Sequence, residues 1–411
     1  MNIVLYSHTF LPAVGGRELV VHFLADALQR KGVRVRVTGP SGVRSAAGLI
    51  LPYPVHRYPQ FVRVGSIEDK GLSPWRRWLL ERSFVWRLRY DLARHGADLV
   101  HAHTTYPDGF TANLVLRHKI PLVITPHGID IHEIPEIGHG LALIPGVREK
   151  ITEALNAADA VTAISESIAE AVRRRGVSDE RIIRIDNGVD LHRFDRRDTR
   201  RVRERYGIPQ DAPIVLSVGN FTPRKGQDYL VRAARRLREA VPGTRVVIVG
   251  RGTGALREEV QRLGLAGTVL LPGSLPPPAL SALSGGCGDD DLADLYREAS
   301  VFVSCGIAEG SEGLSLAVLE AMAAGCPIVA TDISGNRDIV QPGINGLLVA
   351  PASEDALARA LLEVLRNPAL RGRFSREARA TAEKHGWDRV ADDYIALYER
   401  LLTRRRKRDT A

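Results

Sequence analysis

Short apolar runs alternate with amphipathic segments along almost the whole chain, and few folds accept that pattern. A buried parallel strand reads as a continuous apolar run, and the crossover returning the chain reads as a helix with one apolar face. In the first half the strand-like runs are Ile3–Ser7, Val33–Thr38, Leu99–His101, Leu122–Thr125, Ala160–Ala163 and Ile182–Ile185. Helical patterns cover Glu18–Lys31, Val147–Ala157 and Ser165–Arg174. A second series of strands reads as Ile214–Val218, Arg245–Val249, Val269–Leu271, Val301–Ser304 and Ile328–Ala330. Its helices are expected near Gln227–Glu239, Ala255–Leu263, Asp291–Ala299, Leu316–Ala324 and Asp355–Leu365. Two such series predict an α/β protein of two doubly wound, Rossmann-like domains, with ligands at the carboxyl ends of both sheets. At 411 residues the chain is also too long for one ordinary core.

Predicted boundaries are 1–190 for the first domain, 191–384 for the second, and 385–411 for a terminal helix (Trp387–Leu402) with a basic tail. The segment Pro276–Gly288, rich in Pro, Gly and Ser, reads as an exposed loop. The opening residues Met1–Tyr6 read as a strand rather than a leader, and no run approaches membrane-spanning length, so a cytoplasmic chain is expected. Three cysteines at unrelated spacings suggest unpaired thiols in a reducing compartment. The net charge of +9 favours anionic ligands or an anionic membrane surface, but it is spread too evenly to argue for nucleic acid.

Four segments carry chemistry. Gly15-Gly16 with Glu18 lies between the first strand and its helix, where glycines admit a ligand and a helix start favours an anion. His127-Gly128-Ile129-Asp130 follows a buried strand, so its histidine faces a ligand site; turn formation is the competing role. Gly219 to Gly226 follows the first strand of the second half and carries Asn220, Arg224 and Lys225. Two fixed cations there suit a diphosphate. The last segment runs from Glu309 to Pro327: Glu312 in a loop, Gly313-Leu314-Ser315-Leu316 at a helix entry, and Glu320 within the helix. Amides at that entry suit phosphate oxygens, and a carboxylate such as Glu320 suits sugar hydroxyls.

In this order, and over nearly the whole chain, the segments resemble the retaining GT-B glycosyltransferases of family 4. The likeness extends to Asp98–His103, Asn187-Gly188-Val189-Asp190 with Phe194, Gly343–Gly346 and the terminal helix; the pair Glu312 and Glu320 is its most specific element. It implies a GT-B fold: two domains facing a central cleft, with the terminal helix crossing back to the first. It implies a nucleotide diphosphate-sugar donor in the second domain, with Glu320 on the ribose and Arg224 and Lys225 on the diphosphate. Residues Glu312 to Leu316, with Gly313, Leu314 and Ser315, would lie against sugar and phosphates. Gly16 would close over the phosphates and His127 would contact the sugar. A hydroxyl acceptor, lipid-linked or polysaccharide, would meet Glu18, His103 and Asp130. The family often has arginine where this chain has Asn220.

The implied reaction is a hexosyl transfer with retention. The acceptor attacks the face the diphosphate leaves, the leaving phosphate takes the proton, and no metal or other cofactor is expected. Asp289-Asp290-Asp291 could be read as a metal site, but helix capping is the favoured role. A nucleotide-dependent oxidoreductase is the rival suggested by the glycines of Gly250–Gly254, and a lapsed sugar-nucleotide-binding protein is the rival suggested by Asn220. Ser73–Tyr90 holds three of the four tryptophans among arginines. It fits either a helix packed under the first sheet or peripheral contact with an anionic membrane, to which the Arg404–Arg408 tail would add attraction.

Overall fold

The computed structural model describes residues 1–13, 15–41, 50–59, 67–195, 199–275, 290–310 and 313–409. The predicted loop Pro276–Gly288, Glu312, Asp289 and Cys287 lie outside the described residues. The chain divides into two units, Met1–Asn187 with Trp387–Ala411, and Gly188–Gly386.

Seven parallel strands build the first unit, in the order β3-β2-β1-β4-β5-β6-β7. They are β1 (Asn2–Tyr6), β2 (Arg34–Ser41), β3 (Val55–Pro59), β4 (Leu99–Ala102), β5 (Leu122–Ile124), β6 (Ala160–Ala163) and β7 (Ile182–Arg184). Strand residues alternate between faces. On one face Val4, Tyr6, Val100, Ala102, Ile124 and Val161 pack with Leu80, Phe84, Phe110, Ile151 and Ile168 from four helices. On the other, the terminal helix Trp387–Asp409 packs along the helix Gly16–Arg30, with Trp387 stacked on Phe23 at 5.8 Å.

The second unit repeats the scheme with six parallel strands in the order β10-β9-β8-β11-β12-β13. These are β8 (Ile214–Val218), β9 (Arg245–Val249), β10 (Val269–Gly273), β11 (Val301–Ser304), β12 (Ile328–Thr331) and β13 (Gly346–Val349). Ile214, Leu216, Val247 and Phe302 face one core with Tyr296, Leu319 and Met322. Their neighbours Val215, Val246 and Val301 face another with Leu230, Leu361 and Phe374.

Both sheets reverse direction of winding beside their first strand, between β1 and β4 and between β8 and β11. Doubly wound sheets bind ligands at that crevice, outside the carboxyl ends of the strands. Of the four segments singled out in the sequence, those after β1, β8 and β11 leave strands there, and the one carrying His127 leaves β5, the neighbour of β4. Two strands escaped the sequence pattern, β3 and β13, and both are sheet edges. An edge strand is covered less fully, so it needs no continuous apolar run: β3 reads Val-His-Arg-Tyr-Pro. Cys305 and Cys326 are buried free thiols. Among the described residues no helix is long and apolar enough to cross a membrane.

Candidate active site

In the second unit the chain leaving β8 makes a tight turn, Pro223–Lys225, and ends it at Gly226 with φ of 62°. A Cβ at Gly226 would sit 2.0 Å from the Cys305 carbonyl oxygen and 2.7 Å from Ile307 Cγ2. Ile307 N donates to the Arg224 carbonyl at 3.0 Å. The loops after β8 and β11 are thus clasped backbone to backbone at the switch point, with Arg224 and Lys225 half-buried on the clasp.

Asn220 has a partner of its own. Its Oδ1 accepts from Arg251 N at 3.1 Å, and Phe221 N donates to Arg251 O at 2.8 Å. A Cβ at Gly250 would meet the Gly219 carbonyl at 2.1 Å, so that glycine serves a close approach of two backbones. The feature that prompted a dinucleotide reading therefore has a local purpose, joining the loops after β8 and β9.

Glu320 stands on the helix Leu316–Ala323 in a buried network. Its Oε1 accepts from Arg193 Nη1 at 2.6 Å and its Oε2 from the Tyr296 hydroxyl at 3.0 Å. Arg193 also donates through Nε and Nη2 to Asp290, at 2.6 and 3.0 Å. Burial pushes the Glu320 carboxyl above its ordinary range, and Arg193 only partly offsets this. Asp290 caps the helix Asp291–Glu298 by accepting from Ala293 N at 3.0 Å, while Asp291 takes Tyr206 OH at 2.9 Å. Of the acidic triplet, the two described members are thus engaged in capping and ion pairing. Before Glu320, Leu314 is buried, and Ser315 at the helix start makes no side-chain capping bond among the described residues.

In the first unit Glu18, His103, His127 and Asp130 all lie at the carboxyl ends of β1, β4 and β5. Glu18 accepts from Thr9 Oγ1 and from Arg17 Nη2 (3.1 Å), and its carboxyl is lowered because Arg17 and Thr9 outweigh burial. His103 Nδ1 lies 3.4 Å from His127 Nε2 with the rings stacked. Burial first, then the charge of Arg17, holds His103 at about 3; burial, His103 and Arg17 hold His127 well below its usual value. Both imidazoles are neutral near pH 7. His103 Nε2 is buried without a partner among the described residues. Asp130 is fully buried. Its oxygens accept from Thr105 N (2.6 Å), His127 N (2.8 Å) and Gly128 N (3.1 Å), so it shapes the loop that presents His127.

Several partners were not visible in the sequence. Behind His103, His101 bonds Tyr398 OH at 2.7 Å and Thr125 Oγ1 at 2.6 Å, so the terminal helix supports the histidine cluster. His8, following β1, contacts Asp108 (3.0 Å) and Glu68 (3.2 Å). Burial pulls His8 down, but those carboxylates lift it to about 9. Arg17 was marked only by its place after Gly-Gly, and Arg193 only by its place before Phe194. A metal-like group, His56, Asp91 and His95, has ligating atoms within 4.8 Å of one another. Asp91 there already accepts from Arg36 at 2.8 Å and Tyr58 OH at 2.8 Å, so a cation occupies the carboxylate.

Residues 14–193 match the model of Glycosyltransferase Family 4, and residues 198–381 that of Glycosyl transferases group 1. The D-inositol 3-phosphate glycosyltransferase of Acidothermus cellulolyticus is 31% identical over 323 residues, 75% of this chain and 68% of that protein. The enzyme of that name from Streptomyces avermitilis is 32% identical over 325 residues, 76% of this chain and 67% of that one. Among solved structures, sucrose-phosphate synthase from Thermosynechococcus elongatus superposes with a TM-score of 0.77 at 24% identity, covering 98% of this chain and 99% of that one. HepE of Anabaena, in complex with UDP and glucose, gives 0.75 at 21% identity, covering 97% and 99%. With two doubly wound units, the motif residues at their switch points and relatives matched over two thirds of their length, this chain belongs to the family 4 glycosyltransferases and has the GT-B fold.

Proposed function

We propose that the chain transfers a hexose from a nucleotide diphosphate-sugar to a hydroxyl acceptor with retention, in glycolipid, cell-envelope polysaccharide or glycoside synthesis. The observation that carries this reading is the clasp at Gly226, which sets Arg224 and Lys225 at the switch point of the second unit. Glu320 uses one lone pair on each oxygen for Arg193 and Tyr296, which leaves acceptor capacity for ribose hydroxyls. The two cations and the amides of Gly313 to Leu316 stabilise the diphosphate as its bond to the sugar breaks and charge grows on it. Such groups, fixed beforehand, lower the barrier because they act more strongly on the transition state than on the ground state. The reading assigns Glu312, outside the described residues, to the reacting centre and Gly16 to the donor phosphates. Neutral His127 offers a hydrogen bond to the transferred sugar, while Glu18 and His103 receive the acceptor. Asp130 acts through the loop it holds. The leaving phosphate accepts the acceptor's proton, so no dedicated base is called on, and with Arg224, Lys225 and the helix amides on the diphosphate the reading calls on no metal. The neighbour bound to UDP and glucose and the relatives named for a phosphorylated polyol acceptor support this assignment.

A thermal-shift screen of UDP, GDP and ADP, with and without EDTA, tests it. A true ligand at a hundredfold excess over its Kd stabilises by about 2.7 kcal/mol. One nucleotide should shift the melting point in EDTA, and the shift should vanish in Glu320→Ala. Loss of the shift in EDTA would overturn metal independence, and a product of inverted configuration would overturn retention. Binding without hydrolysis or transfer would mark a lapsed site.

The reading includes peripheral work at the cytoplasmic face of a membrane, supported by the helix Pro74–His95. Its two acids, Glu81 and Asp91, are buried and paired inward with Lys150 and Arg36. Outward stand Trp75, Trp78, Trp86 and Tyr90 with Arg76, Arg82, Arg89 and Arg94. Trp75 and Trp78 are 60% and 53% exposed, each beneath an arginine at 5.2 Å. A face of aromatic rings and cations suits an anionic headgroup zone. Flotation with anionic vesicles should recover the chain at low salt and lose it in a Trp75→Ser/Trp78→Ser variant; equal recovery of both would refute this part.

A further inference from the structure

Arg193 is mounted from both sides. Before it, Asp190 Oδ1 accepts from His192 N at 3.1 Å and from Arg193 N at 3.4 Å, which closes the short turn His192–Phe194. After it, Phe194 is buried edge-on against the Tyr296 ring at 5.9 Å, and its carbonyl accepts from Arg297 Nη1 at 2.8 Å. The guanidinium lies over the Phe194 ring, 5.4 Å from its centroid. From this mount it directs two nitrogens at Asp290 and one at Glu320. Asp290 is fixed in turn as the cap of the helix Asp291–Glu298. A planar guanidinium bridging two carboxylates transmits direction as well as charge.

Exposure rises along this chain of contacts. The Asp290 side chain is 2% exposed, Arg193 9% and Glu320 15%, while Tyr296 on the far side of Glu320 is fully buried. The network therefore meets its surroundings at Glu320. Each oxygen of that carboxylate already accepts one bond in a set direction, Oε1 from Arg193 and Oε2 from Tyr296. One lone pair remains on each oxygen. Two such lone pairs on one carboxylate match two hydroxyls on adjacent carbons, as the 2′ and 3′ hydroxyls of a ribose are. Protonation would turn one of the oxygens into a donor and spoil the match. Burial pushes the Glu320 carboxyl up, Arg193 and the Tyr296 hydroxyl push it down, and Asp290 opposes them; of these groups Arg193 is the cation.

We infer that Arg193 is a positioning residue for the donor, which turns the Glu320 carboxylate so that each oxygen meets one of two adjacent ribose hydroxyls. The inference rests on the transferase reading and adds to it a substrate class: donors built on a ribonucleoside diphosphate, with 2′-deoxyribonucleoside donors rejected. The charge of Arg193 also keeps the carboxylate in its accepting form. A site arranged to pair two hydroxyls discriminates against an analogue lacking one, because an acceptor is then left unmatched. A carboxylate free to turn would still take one bond without requiring the second.

Calorimetric titration of the full chain with UDP, GDP and ADP, each beside its 2′-deoxy form, tests this between about pH 5 and pH 8. The ratio of the two affinities cancels the titration of the phosphates, which both forms share. Wild type should favour the ribonucleotide by at least about tenfold near neutral pH, the scale of one hydrogen bond to a charged group. Glu320 accepts from hydroxyls when ionised, so the preference is present above its titration and lost as pH falls through it. In Arg193→Met the preference should be smaller, and its loss should begin at higher pH, because the cation that favours the ionised form is gone. Arg193→Lys keeps a cation between the two carboxylates, so it stays folded where Arg193→Met is too unstable to titrate. A single ammonium does not fix the carboxylate plane, and its preference should fall between the two. In Glu320→Gln the residual preference should not vary with pH. The same preference with the same pH course in wild type and in the Arg193 variants would make Arg193 merely structural and overturn the inference. A pH course that persists in Glu320→Gln would assign the titration to another group and overturn it too. Wild type that binds nucleotide but ignores the missing hydroxyl would overturn it while leaving the transferase reading standing. Only a failure to bind any ribonucleotide would count against that reading, and the inference would fall with it.

Discussion

Replacing Gly226 by alanine tests the clasp between the β8 and β11 loops most directly. The backbone there has φ of 62°, a left-handed conformation in which a Cβ costs roughly 1–2 kcal/mol. The new methyl would also lie 2.0 Å from the Cys305 carbonyl oxygen and 2.7 Å from Ile307 Cγ2. The first of these is backbone and cannot rotate away, so the loops must part, at a further cost of about 1–3 kcal/mol for overpacking. Together these give a destabilisation of roughly 2–5 kcal/mol. Gly243 supplies the control within the same unit: its φ is 87°, but nothing lies within 4 Å of its added Cβ. Gly243→Ala should therefore show the conformational cost alone. Urea denaturation of the two variants isolates the clash as their difference. Nucleotide titration should show binding weakened about tenfold in Gly226→Ala, because Arg224 and Lys225 shift with the loop, an effect worth about 1.4 kcal/mol. If Gly226→Ala is no less stable than Gly243→Ala and binds nucleotide as wild type does, the clasp does not organise the site.

Removing Arg193 as methionine would leave Glu320 and Asp290 buried without their cation, costing roughly 3–5 kcal/mol by denaturant unfolding, and Glu320→Gln in that background should recover part of it. His8 is raised from 6.5 to about 9, so its stabilisation is fully present below pH 6.5 and fades as pH rises towards 9. It amounts to ~3 kcal/mol at most, and the stability gap between wild type and His8→Gln should narrow across that window; a gap independent of pH would show that His8 is not charged in the folded protein. His103, lowered to about 3, acts in the opposite sense: its stability is intact above pH 6.5 and is lost as pH falls towards 3. His103→Gln should resist acid better than wild type in that range, measured by the unfolding midpoint at pH 5.

Interior strands were legible because a strand covered on both faces carries a continuous apolar run, as Ile3–Tyr6 in β1, Ile214–Leu216 in β8, Val246–Val249 in β9 and Val301–Val303 in β11 do. The edge β3, Val-His-Arg-Tyr-Pro, was not, for want of that constraint. Helix Pro74–His95 defeats the rule that polar residues face water: Arg77, Glu81, Arg87 and Asp91 point inward and three tryptophans outward. No local pattern announces this, since Glu81 finds Tyr106 OH and Lys150, and Asp91 finds Arg36, only once the sheet has formed. Asp130 shows the same limit at the site. Its position after a strand end was readable, but its three backbone partners include Thr105, on a different loop.

Alone, the sequence determined the two series of strands and helices and the residues that follow the strand ends. Those features depend on local periodicity and on chain order, which a linear chain carries in full. The tertiary structure decided which of those residues are fixed by partners and which keep free capacity. Arg193 meets Glu320 across 127 positions, Tyr398 meets His101 across 297, and Arg87 meets no acceptor at all among the described residues. Pairings of that separation depend on how helices pack on the sheet, and burial then sets whether each charge is held, neutralised or left unpaired.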